Sequence, residues 1–187
     1  AWLKGFSGIE IHNGGTYSNP GKGSDYPAKV DLTLSFGHEF HVIATDDFHR
    51  DPERTMDRGY VVINSARDQA TITRADLVAA LHAGNFFACG RTNTRHPDSP
   101  RFTDIAVDGH TITVRTDRVV DIEFSTDRNN FVKGETRYVQ KDSGVTEASY
   151  TARADDRWIR ITATFTGEEG VSYAWSNPIY VRTAAPE

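Results

Sequence analysis

From residue 101 onward the chain carries strand signals and no convincing helix. Ile105-Ala106-Val107 and Thr111-Ile112-Thr113-Val114 flank Asp108-Gly109, a dipeptide suited to the positive φ of a tight hairpin turn. Val119 to Phe124, Tyr150 to Ala152, Trp158 to Phe165 and Ile179 to Val181 each read as strands separated by turns. Thr, Val, Ile and aromatic residues dominate them, and such side chains suit a pleated, half-buried surface. A segment of this kind has to bury sheet against sheet. Residues 101–187 are therefore expected to form a small antiparallel β-sandwich, with Trp158, Tyr173 and Trp175 packing it. A sugar-binding platform is the functional alternative for those three rings.

Residues 1–92 have a different pattern. Gly8 to His12 alternates apolar and polar residues and breaks at Asn13-Gly14-Gly15, a turn signal. Pro27 suits the first turn of a helix that Gly37 stops, and His41 to Ala44 follows as a strand. Gly59 to Asn64 is apolar on both faces, as in strands buried in parallel sheets. Thr73 reads as a helix N-cap with Asp76 at N3, and Leu77, Val78 and Leu81 share one helical face. Gly84 ends that helix, and Phe86 to Cys89 is a further strand. This order implies an α/β layer. Residues 93–100, polar and holding Pro97 and Pro100, are expected to be a linker.

Of the 187 residues, 37% are hydrophobic and 25% charged, which is ordinary for a globular protein. A net charge of -5 argues against a dedicated nucleic-acid surface. No apolar run approaches the roughly 20 residues that would cross a bilayer, and no signal peptide is visible. With Ala1 in place of an initiator Met, the sequence reads as part of something longer or as a processed product. Its compartment is not legible. The single cysteine, Cys89, excludes an internal disulfide and a Cys-rich zinc site, and among Phe86, Phe87 and Ala88 it reads as core.

The chemistry concentrates after the second strand, in Ala44-Thr45-Asp46-Asp47-Phe48-His49. If that strand continues to His49, Asp47 and His49 aim at one point, because side chains two apart share a face. A carboxylate and an imidazole converging there are metal ligands or a general acid/base couple. The plainer alternative is a pair of surface groups capping nearby backbone. Glu10, His12 and Asn13 hold the equivalent place after the first strand, with Glu10 and His12 on one face. His12 reads more readily as a donor to a turn carbonyl, and Glu10 and Asn13 as groups that line the site or hold loops. His82, His38, His96 and His110 are expected to face solvent.

Four segments together resemble one family. Gly8-Ile9-Glu10-Ile11-His12-Asn13-Gly14 is similar to the G-I-E-V-x-N strand of PHP-domain proteins, the polymerase and histidinol phosphatase superfamily. The segment around Asp46, Asp47 and His49 resembles their S-D-D-x-H block. Leu77 to Ala88 resembles the helix and strand that follow it. Tyr173-Ala174-Trp175-Ser176-Asn177-Pro178-Ile179 resembles the A-W-S-N-P-I close of the CehA/McbA-type branch. The resemblance implies a distorted β/α barrel with two or three zinc, manganese or iron ions, which activate water to hydrolyse phosphate and other esters. It implies Asp47 and His49 as metal ligands and Asp46 as an adjacent carboxylate. The family's His-x-His pair, the Asp and His after it, its bridging Glu and its further His residues have no counterpart here.

The expected fold is thus the carboxyl-terminal part of a PHP-type barrel followed by the sandwich. The expected function is part of a metal-dependent hydrolase that takes a small ester or phosphoester and is silent alone, its metal site incomplete. The alternative is a non-catalytic binding or docking module built on the β-rich half. Exposed sheet edges and apolar surface would favour an oligomer, or further polypeptide completing the barrel.

Overall fold

A computed structural model describes residues 7–17, 26–48, 56–65, 67–92, 98–127 and 138–182. The first unit is β1 (Gly8–Asn13), α1 (Gly14–Tyr17), α2 (Tyr26–Ser35) and β2 (His41–Thr45). β1 and β2 pair in parallel from Gly8↔His41 to Asn13↔Thr45, and α2 lies in the crossover that parallel pairing demands. A register shift between Glu10 and His12 breaks the alternation of β1, so Ile11 and His12 are both fully buried.

The remaining elements are β3 (Gly59–Ile63), α3 (Arg74–Ala83), β4 (Phe86–Arg91), β5 (Phe102–Asp108), β6 (Thr111–Thr126), β7 (Tyr138–Thr151), β8 (Trp158–Gly167), β9 (Gly170–Ser176) and β10 (Ile179–Tyr180). Their strands form one eight-stranded antiparallel sheet ordered β3-β4-β9-β8-β6-β5, with β7 on β6 and β10 on β8. β6 is long enough to pair with β5 near its start, with β8 near its end and with β7 along its length. Register shifts in the β6–β7 pairing between Arg115 and Ile122 mark irregularity along this long strand. Phe87 of β4 then meets Phe102 of β5 edge-on at 5.3 Å between ring centroids, so distant strands of the sheet close over one core.

Three expectations change. The fold is β-rich and mostly antiparallel, and among the described residues no closed barrel forms; parallel pairing is confined to β1–β2. β3, expected in a parallel setting, runs antiparallel to β4, which the chain enters after Gly84 caps α3. β4 pairs with β9, so the sheet runs across the expected linker at 93–100. Residues 93–97 lie outside the described residues. Ser99 is fully buried and donates its hydroxyl to the Gly90 carbonyl at 3.1 Å.

Both faces of the sheet are covered. Cys89, Ile122, Phe124, Ile159, Ile161 and Ala174 look into the larger core, on one face of the sheet. Trp158 and Trp175 instead face the second core, with Ile11, Val30, Leu34, Val42 and Ala88, and Tyr173 packs against that cluster. Hence these rings pack the seam between the parallel pair and the sheet rather than the larger core.

Polar staples reinforce that seam. Arg160 of β8 grips Asp31 of α2 bidentately at 2.8 and 2.9 Å, both side chains being almost wholly buried. Asn177 accepts from the Val42 amide at 2.8 Å and donates to the carbonyls of Gly84 and Phe86. It thereby occupies the edge of β2 that β1 does not. The Tyr180 hydroxyl accepts from the Phe40 amide and donates to the Phe40 carbonyl. In contrast, α3 buries none of its residues, and Leu77, Val78 and Leu81 are exposed. Among the described residues no helix is long and apolar enough to cross a membrane.

Candidate functional site

The parallel pairing brings the ends of β1 and β2 side by side, and the chain continues from each into a close-packed turn. β1 passes directly into α1 at Gly14. A Cβ on Gly14 would sit 2.8 Å from the Arg58 Cβ and 3.0 Å from the Asp46 carbonyl oxygen; one on Gly15 would sit 2.8 Å from Asp47 Oδ2. The glycine pair that reads as a turn signal therefore also lets the Asp46-Asp47 segment approach the end of β1.

Glu10 is held by that geometry. One oxygen accepts from the Thr45 hydroxyl, tying β1 to β2, and the other accepts from the Asn13 side-chain amide at 3.2 Å. Asp46 accepts from three successive backbone amides, those of Asp57, Arg58 and Gly59, at 3.0, 2.7 and 2.9 Å. Its carboxylate organises the turn that enters β3. That turn is tight: Asp57 has φ +61, and a Cβ on Gly59 would lie 2.1 Å from the Thr45 carbonyl oxygen.

His12 is fully buried. Its ring lies 5.6 Å from the Trp175 ring and directly over Gly90, where a Cβ would come within 2.6 Å of it. Burial pushes its pKa down to about 4, against smaller upward pulls from a hydrogen bond to the Arg58 backbone and from the Asp46 charge. The imidazole is therefore neutral at neutral pH and tied to the turn that Asp46 arranges.

Asp47 differs from its neighbours. β2 ends at Thr45, and Asp47 is exposed in a left-handed conformation with φ +50. The continuous strand that would aim residues 47 and 49 at one point does not form, because the backbone reverses its twist at Asp47. His49 lies outside the described residues. Glu10 and His12 also lose the simple shared face expected of them, through the register shift between them.

A transition-metal centre takes about three protein ligands plus an open position. Among the described residues no group of three or more His, Cys, Asp or Glu is arranged to hold a metal. Glu10 and Asp46 spend their oxygens on protein donors, and His12 is buried against Gly90 and Trp175. The described residues thus do not by themselves fit the zinc, manganese or iron centre that the resemblance implies. Cys89 is fully buried, and burial pushes its thiol up to about 12, which disfavours the reactive thiolate. Thr45, Arg58, Gly59, Gly90 and Trp175 also belong to this cluster, though no local pattern marks them as site residues. The usable signal was glycine inside strand patterns, which marks close approach of another group.

No family model, no curated protein and no solved structure matches the chain.

Proposed function

We propose that this chain carries the carboxyl-terminal part of a metal-dependent hydrolase of the PHP type, acting on ester or phosphoester bonds, and that it is catalytically silent alone. The observation that carries this reading is the placement of four acid or imidazole residues toward one end of a parallel strand pair. Glu10 and His12 come from β1, and Asp46 and Asp47 follow β2 directly. In α/β proteins functional groups gather at the carboxyl ends of strands. The division of labour supports the same reading. Glu10 and Asp46 fix the strand ends and the neighbouring turn, His12 stands neutral behind them, and Asp47 reaches the surface two residues before His49. The exposed apolar residues of α3 suit a chain that associates with further polypeptide.

A second reading, a non-catalytic binding or docking module built on the β-rich part, is favoured by the engagement of Glu10, Asp46 and His12 with the protein's own groups. Two measurements separate the possibilities. The chain supplemented with zinc or manganese is assayed with a chromogenic phosphodiester; no turnover above metal alone is expected, and turnover abolished by Asp47→Ala would refute the claim of silence. Added zinc or manganese retained stoichiometrically by a longer polypeptide containing this chain supports the hydrolase. Its absence, with tight protein or glycan binding, supports the module.

A further inference from the structure

Of the chain's asparagines, Asn13 alone is followed by glycine. An asparagine so placed cyclises onto its own backbone most readily, because glycine has no Cβ to shield the attacking nitrogen. The Gly14 nitrogen attacks Asn13 Cγ, a Cγ–N bond forms, and the Cγ–Nδ2 bond breaks. The Gly14 amide proton passes to Nδ2, which leaves as ammonia, and a cyclic imide remains. Water then opens the imide at either carbonyl, giving aspartate or isoaspartate. The sequence is redox-neutral and consumes only water.

The closed strand end holds this junction away from that reaction. Asn13 is the last residue of β1, opposite Thr45 in the parallel register, and its side-chain amide donates to Glu10 Oε2 at 3.2 Å. The Thr45 hydroxyl fixes the other oxygen of Glu10. Gly14 is buried, and a Cβ there would meet the Arg58 Cβ at 2.8 Å and the Asp46 carbonyl oxygen at 3.0 Å. Cyclisation expels the nitrogen that Glu10 holds and swings Asn13 Cγ back onto Gly14, so it waits on local opening of the strand end. The change is then one-way. Either product replaces the donor with a carboxylate, setting two like charges where a 3.2 Å donor–acceptor pair stood. Isoaspartate also lengthens the backbone at the point where Gly14 is most closely packed.

We propose that Asn13 is a site of spontaneous deamidation, gated by opening of the strand-end cluster, and that its product weakens the closed cluster. The proposal is independent of the hydrolase reading. The test incubates the full chain at mildly alkaline pH, with and without denaturing urea, and follows the Asn13 peptide by mass spectrometry. A gain of about 1 Da, with an isoaspartate fraction, is expected in both samples, about ten- to a hundredfold more slowly in the folded one. Thr45→Val, which unties Glu10 from β2, is expected to raise the folded rate several-fold and leave the unfolded rate unchanged. Asn13→Asp, standing in for the product, is expected to lower the urea midpoint, and adding Glu10→Gln is expected to restore most of that loss by removing the facing charge. Equal rates in folded and unfolded chains, no gain at Asn13 in the folded chain, or an Asn13→Asp variant as stable as the wild type would overturn it.

Discussion

Asp31→Ala is expected to be among the most damaging single substitutions in the described residues. Asp31 is wholly buried in α2 and receives Nε and Nη2 of Arg160 at 2.8 and 2.9 Å, while Nη1 of Arg160 donates to Thr162 at 2.8 Å. Removing the carboxylate strands a buried guanidinium with two donors unmet. That situation costs about 3–5 kcal/mol, against a total stability of order 5–15 kcal/mol. Urea unfolding followed by tryptophan fluorescence is well placed to read it, because Trp158 and Trp175 sit in the core that α2 covers. The unfolding midpoint should fall by more than about 1 M at ordinary m-values. Replacing the pair by Asp31→Leu with Arg160→Met should recover most of the loss, since a buried ion pair is about as stable as a well-packed apolar pair. A cost below about 1 kcal/mol for Asp31→Ala, or a double variant no better than the single, would refute the reasoning.

His12 gives a pH signature. Its folded pKa of about 4 lies below the ordinary value near 6.5, so the unfolded chain takes up the proton first. Its contribution to stability is full above about pH 6.5, shrinks as pH falls toward 4, and levels off below; the loss reaches about 3 kcal/mol. Equilibrium unfolding at several pH values should show that slope in the wild type and a flatter one in His12→Phe. Gly90→Ala should destabilise by about 1–3 kcal/mol, because the new methyl meets the fully buried His12 ring, and the measured midpoint should fall accordingly. Asp46→Ala should speed amide exchange at Asp57, Arg58 and Gly59 by about tenfold or more, as judged by hydrogen-exchange spectroscopy.

Local signals carried individual elements rather than the fold. The Thr73–Asp76 box forms as written in the residues, with Thr73 accepting from the Asp76 amide and Asp76 from the Thr73 amide. Gly84 closes that helix in the left-handed conformation, and Gly109 turns the β5–β6 hairpin at φ +58. What was hidden is long-range. β9 was legible as a motif but not as a strand, and its pairing with β4 joins segments separated by some eighty residues through packing that no local pattern encodes. The Trp-Ser-Asn-Pro segment shows why: Asn177 bonds the backbone of β2 and that of the Gly84–Phe86 turn into β4 at once, so its value lies in partners far from it in sequence.

The candidate site was legible in position and not in geometry. Residue spacing located the strand ends that hold Glu10, His12, Asp46 and Asp47. It assumed ideal alternation, which the shift after Glu10 and the left-handed Asp47 both break. The roles of Gly59 and Gly90 depend on what lies across from them, Thr45 and His12, and a single sequence does not state its neighbours in space.

The most direct measurement is the zinc content of this chain after equilibrium dialysis, alongside that of a longer polypeptide supplying a His-x-His segment. Well below one equivalent is expected on the chain alone, and at least one on the longer polypeptide that Asp47→Ala removes. Stoichiometric zinc on the chain alone, or none on the longer polypeptide, would contradict it.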